Sequence, residues 1–228
     1  MSTEHQLAVT AIVVITTILV AAARLSPGPW TRIACLALAV ILVGAEVGWW
    51  AYLVASHATG ADLAYALPLQ LCDAAIFIAA AALVLRKQLL IEVTYFWGLA
   101  GTLQALLTPD LAQHFPNLLF FQYYVAHGGI VAAALLLVAG LGQWPRRHAV
   151  IKVGVITFVY ALLVGAIDAA TGANYMYLRS KPASASLLDL FGPWPFYIAW
   201  AALLGVALLF ILDLPFRWLQ HRSEEHTH

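Results

Sequence analysis

Seven apolar stretches, at 7–23, 31–53, 67–85, 89–107, 118–139, 149–170 and 193–214, constrain this chain more than any other feature. At a rise of about 1.5 Å per residue each is close to the length that crosses a bilayer core of about 30 Å as a helix. Residues are 63% hydrophobic and only 10% charged, so little polar surface is left with which to cover such stretches in water. The expected fold class is all-α, a polytopic membrane protein with a bundle of seven transmembrane helices. The connections are short except for a polar stretch at 171–192, and no internal repeat stands out. A single domain over 1–228 is therefore expected, with a polar cytoplasmic tail at 215–228 whose last residues, HRSEEHTH, are predicted to be unstructured.

The formal charge is zero, but the eleven Lys and Arg residues are unevenly placed. Arg24, Arg32, Arg86, Lys87, Arg146, Arg147, Lys152, Arg217 and Arg222 all fall on one side of a seven-span arrangement, leaving Arg179 and Lys181 on the other. The positive-inside rule then predicts an external N-terminus and a cytoplasmic C-terminus. The first span ends in Ala21, Ala22 and Ala23, which resemble a signal-peptide cleavage site. The preceding MSTEHQ carries no Lys or Arg, so a retained span is expected instead. Short loops and compact size suit a bacterial cytoplasmic (inner) membrane.

The two cysteines, Cys35 and Cys72, fall at depths that differ by roughly 15 Å, too far for a disulfide. Cys35, between Ala34 and Leu36, is most simply a small packing residue.

Orientation sorts the polar residues of the spans by leaflet. Glu46, Gln70, Cys72, Asp73, Gln104, Gln122, His127 and Asp168 fall in the outer half, and Glu92 near the inner end. An ionisable side chain in hydrocarbon costs on the order of 3 kcal/mol, so this many at one level are expected to share a polar cavity rather than to face lipid separately. Gln70, Gln104 and Gln122, with Asn174 in the loop GANYMYLRSKP, are candidate substrate contacts. Arg179 and Lys181 in that loop could hold a lipid phosphate, could neutralise Asp168 or Asp189, or could simply face water.

Counting from the starts of spans three and five places Cys72 about 7 Å and His127 about 13 Å below the surface, an offset of about one helical turn. A thiol near an imidazole is the smallest nucleophile and base pair, and its chemistry is acyl transfer. Taken alone the pair is also compatible with an inert thiol and a structural histidine. Asp73, Asp168 and Glu46 are candidates to orient the imidazole, or they form interhelical hydrogen bonds that tighten the bundle. Trp49, Trp50, Tyr52, Trp194 and Tyr197 read as an interfacial belt, and Gly98, Gly101, Gly128 and Gly129 as helix-packing positions. No His or Cys spacing typical of a metal site, no phosphate-binding glycine loop and no exposed basic patch for nucleic acid is present. Neither a metal nor a cofactor is expected.

The blocks LPLQLCD (67–73), TYFWGLAGTLQALLTPDL (94–111), FFQYYVAHG (120–128), GANYMYLRSKP (172–182) and SLLDLFGPWPFY (186–197) closely resemble the YwaF-like family of integral membrane proteins. The resemblance runs from about 65 to 215. That family includes the animal transmembrane protein 164, an acyltransferase of ether phospholipids that uses a cysteine and a histidine. The resemblance implies Cys72 as nucleophile and His127 as its acid-base partner. It also implies membrane phospholipid and lysophospholipid as the partners, with the acyl chain passing through a thioester. A lipid-ester hydrolase on the same scaffold, or a small-solute or proton-coupled transporter lined by Glu46, Asp73, His127 and Asp168, are the alternatives.

Overall fold

A computed structural model describes residues 2–56, 67–182 and 186–225, with side chains described as far as 219. Seven helices account for most of it: α1 (Thr3–Leu25), α2 (Trp30–Ala55), α3 (Leu71–Leu85), α4 (Gln88–Leu107), α5 (Leu118–Gly140), α6 (Ala149–Thr171) and α7 (Phe196–Glu225). All but α3 are long and apolar enough to cross a membrane. Side chains such as Ile15, Val155, Leu162 and Phe210 stay exposed on the outside of the bundle, as a helix surface facing lipid requires.

Local chemistry sets the helix ends. Ser2 caps α1 by accepting the His5 N–H, and Asn117 caps α5 by accepting the Leu119 N–H at 2.8 Å. Gly172 closes α6 in the left-handed conformation that a glycine adopts without a steric penalty. Two helices carry π-helical segments, Trp97–Thr102 within α4 and Leu136–Gly140 at the end of α5. The last helix passes through Pro215 and continues to Glu225, where the sequence had predicted an unstructured tail from 221. Residues 226–228 lie outside the described part.

The third span differs from its expected range. Pro68 and the extended backbone at Gln70 delay α3 until Leu71, so the helix has 15 residues. Segment 67–70 instead satisfies its backbone laterally: Leu67 N–H donates to Tyr175 Oη, and the Leu69 carbonyl accepts from Tyr160 Oη. Cys72 therefore stands in the first turn of a short helix, not a turn inside a long one.

Helix α5 packs against α1, α2, α3 and α4, and α3 packs between α2 and α4, while α6 and α7 lie against α4. Each end of the bundle is tied by polar contacts. At the end that holds the start of α1, Glu4 accepts from Phe115 N–H and Tyr177 Oη donates to Asp110. At the opposite end Arg24 donates to the Ala139 carbonyl and Gln88 to the Trp144 carbonyl. There the fully buried Glu92 carboxylate takes two bonds from the Arg146 guanidinium, at 2.7 and 2.8 Å, and one from the Arg146 N–H at 3.0 Å. Arg217 bridges Asp213 to the Arg146 carbonyl.

Both cysteines are free thiols. Cys35 is fully buried, and its sulphur accepts from Arg86 at 3.1 Å, so it is a hydrogen-bonded packing residue. Tyr197, expected in an interfacial belt, is buried with its hydroxyl on the Tyr177 carbonyl.

Candidate active site

The first turn of α3 and the middle of α5 open on a common cavity of about 370 Å³ toward the α1-start end of the bundle. Cys72 comes from α3 and His127 from α5. Glu46 of α2, Gln70, Asp73 and Gln122 complete the part of the wall that the sequence had singled out. Both reactive side chains lie deep in the bundle, and each is partly exposed while lining this cavity.

The imidazole is held from its own helix. His127 Nδ1 lies 2.7 Å from the Tyr123 carbonyl, one turn back. A carbonyl only accepts, so Nδ1 carries the proton and Nε2 is left as the basic nitrogen. The Tyr123 ring stacks on the imidazole with centroids 4.1 Å apart and an angle of 29°, and Tyr123 Oη donates to the Ala105 carbonyl at 2.7 Å. The ring plane and the tautomer are thus both set by Tyr123, which the sequence analysis did not select. The spacing Tyr123-x-x-x-His127 was the available signal, since residues four apart lie on one helix face.

None of the three candidate carboxylates is the Nδ1 partner. Asp73, in the first turn of α3, lies against the Gln70 backbone N–H, the position of a helix-capping acid. Glu46 is buried and accepts from Trp50 Nε1 at 3.2 Å. Asp168 is fully buried in α6 but away from the cavity wall, where its Oδ1 accepts the Tyr175 N–H at 2.9 Å.

The candidate substrate contacts separate in the same way. Gln70 and Gln122 line the cavity, although Gln70 Oε1 is already taken by the Met176 N–H at 2.7 Å. Gln104, Asn174, Arg179 and Lys181 are not part of its wall. Asn174 folds its own loop by accepting from the Arg179 and Ser180 N–H groups. Arg179 reaches the carbonyls of Asp168 and Ala173, and Lys181 pairs with Asp189 at 3.7 Å while lying over the Tyr197 ring. Of the roles open to these cations from sequence, Lys181 adopts the neutralising one toward Asp189.

Asp110 and Gln113, from the segment after α4, complete the wall. Burial pushes the Tyr177 phenol above its ordinary range, and its bond to Asp110 adds to the shift, so Tyr177 stays protonated as a donor at neutral pH. Among the described residues no group of three His, Cys, Asp or Glu side chains is arranged to hold a metal ion.

The arrangement provides a thiol, a histidine with its basic nitrogen uncommitted to the backbone, and a helix N-terminus beside the thiol. First-turn N–H groups have no acceptor within their helix and favour negative charge nearby. No curated protein and no solved structure matches the chain. A family model does, described as the TMEM164 family, over residues 1–213. The match extends the likeness seen from about 65 through the first two helices as well. By this match over nearly its whole length, the chain belongs to the TMEM164 family.

Proposed function

We propose that this protein is a membrane-embedded acyltransferase that moves a fatty acyl chain between phospholipids through a thioester on Cys72. The observation that carries the proposal is the shared cavity of Cys72 and His127, with His127 Nδ1–H committed to the Tyr123 carbonyl. In the first half-reaction His127 Nε2 takes the thiol proton and Cys72 sulphur bonds to the ester carbonyl carbon of a donor phospholipid. Collapse breaks the ester C–O bond, and His127 returns the proton to the departing lysophospholipid oxygen. In the second, the hydroxyl of an acceptor lysophospholipid gives its proton to His127 and attacks the thioester. The C–S bond breaks, and His127 returns that proton to the departing Cys72 sulphur, which regenerates the thiol. The N–H groups of the α3 first turn suit the oxyanion formed in each step.

Hydrolysis would differ only in the acceptor, with water replacing the lysolipid. The transporter alternative needs a polar route to the other end of the bundle, and there Glu92 and Asp213 are engaged by Arg146 and Arg217. The charge distribution supports an external N-terminus and a site in the outer leaflet half, and the short loops and compact size suit a bacterial inner membrane.

The test is intact-protein mass spectrometry after incubation with defined phospholipids in liposomes, on wild type, Cys72→Ala and His127→Ala. The expected result is a hydroxylamine-labile acyl adduct on wild type, none on Cys72→Ala, and slow formation or clearance on His127→Ala. Transfer to added lysolipid by folded Cys72→Ala would refute the nucleophile assignment.

A further inference from the structure

Thr102 is the last residue of the π-helical segment Trp97–Thr102 in α4, and it is fully buried. Its hydroxyl differs from those of four other threonines in or at the end of these helices. Thr94, Thr108, Thr157 and Thr171 each donate to the carbonyl four residues back, at 2.7 to 3.0 Å. Such a bond is the ordinary way for a helical threonine to satisfy its hydroxyl away from water. Thr102 Oγ1 makes no such bond and has no hydrogen-bond partner of proper geometry among the described residues. The turn that ends at Thr102 is π-helical: the Gly98 carbonyl, four residues before Thr102, accepts the N–H of Leu103, five residues on.

The Thr102 hydroxyl lies close enough to the candidate nucleophile, Cys72, to act on its thiol, although the two are not aligned as a hydrogen bond in this structure. Backbone packing brings the two segments together: a Cβ built on Gly101, next to Thr102, would come within 2.9 Å of Leu71 Cδ2, next to Cys72. On its other side a Cβ on Gly98 would lie 3.2 Å from Ala134 Cβ of α5. The π-helical turn is thus seated between α3 and α5, the two helices that carry the thiol and the imidazole. A buried hydroxyl without a partner is costly, and π-helical turns recur at functional positions.

We propose that Thr102 is the positioning residue for Cys72: its hydroxyl, left without a partner at the end of the π-helical turn of α4, donates to the Cys72 sulphur once the thiol proton has passed to His127. This rests on the acyltransferase reading only for the nature of the electrophile. The closeness of hydroxyl and thiol matters for any reaction of the thiol. Thr102 acts through the nucleophile and is not required to touch the lipid.

The experiment compares wild type, Thr102→Val, Thr102→Ser and Thr102→Ala in detergent micelles. Cys72 alkylation by N-ethylmaleimide is followed by peptide-resolved mass spectrometry, and acyl-adduct formation is followed in liposomes. Valine keeps the shape and loses the hydroxyl, whereas serine keeps the hydroxyl. A hydrogen bond to a charged group corresponds to about ten- to a hundred-fold in rate. Thr102→Val and Thr102→Ala are therefore expected to alkylate at Cys72 slower by about that factor, with thermal midpoints near wild type, and Thr102→Ser within about threefold of wild type. Alkylation of Thr102→Val at the wild-type rate overturns the proposal, as does a loss in Thr102→Ser equal to that in Thr102→Val, which would assign the effect to volume. Alkylation requires no lipid. Slow alkylation of Thr102→Val beside a wild type that never forms an acyl adduct would therefore uphold the role of Thr102 while removing the acyltransferase reading.

Discussion

Replacing Arg146 with alanine tests how the end of the bundle remote from the cavity is held closed. Glu92 has no exposed surface and receives three bonds from Arg146, two of them from the guanidinium at 2.7 and 2.8 Å. The substitution deletes those two and keeps the backbone N–H. Removing one partner of a buried ion pair costs about 3–5 kcal/mol, because the remaining charge is left uncompensated. The Arg146 side chain is 50% exposed, so water can reach the vacated position and screen part of that cost. The expected loss is therefore about 2–3 kcal/mol. For a chain of this size that corresponds to a fall of about 4–12 °C in thermal midpoint, readable by tryptophan fluorescence in micelles. Arg146→Lys, which replaces the two-pronged contact with a point charge, should lose about 1 kcal/mol. The decisive comparison is Glu92→Gln combined with Arg146→Ala, in which no buried charge remains. It should be more stable than Arg146→Ala alone. If Arg146→Ala melts within about 1 °C of wild type, or if the combined variant is the less stable, the buried-charge argument is wrong.

Asp168→Asn keeps an oxygen for the Tyr175 N–H and should retain both stability and acyl-adduct formation, whereas Asp168→Ala orphans a buried N–H and should cost about 1–3 kcal/mol in denaturation assays. Loss of adduct formation in a stable Asp168→Asn would show that its charge acts on the site after all. Tyr123→Phe removes only the bond to the Ala105 carbonyl and should cost about 0.5–1.5 kcal/mol while keeping the ring on His127. Tyr123→Ala removes that packing surface and should slow adduct formation well beyond Tyr123→Phe; equal rates would mean that the stack does not orient the imidazole. Gln70→Ala leaves the Met176 N–H without its acceptor and should increase proteolysis in the 172–182 loop, measured by timed digestion in micelles. Unchanged cleavage would show that the loop is held by Asp168 and Asn174 without Gln70.

Several conclusions required nothing beyond the order of residues. The apolar runs dictated an all-helical membrane bundle because hydrocarbon length and backbone hydrogen bonding leave a helix few alternatives. Depth counting brought Cys72 and His127 near one level, since rise per residue is constant within a helix. The motif blocks pointed to the family that the match over 1–213 establishes.

Tertiary structure decided what periodicity cannot express. Asp168 and Arg179 share the side of the bundle that the sequence assigned them, yet they serve the 172–182 loop, because the direction of a side chain around its helix depends on how the helices pack. Pro68 announced a boundary, but only lateral bonds from Tyr160 and Tyr175 show why α3 can start as late as Leu71. The orienting group of His127 is a main-chain carbonyl, a chemistry that every residue carries and that no residue type can mark. The π-helical turn before Thr102 likewise has no residue-level signature. It shifts the backbone hydrogen-bond register by one residue, in the turn that is seated between α3 and α5.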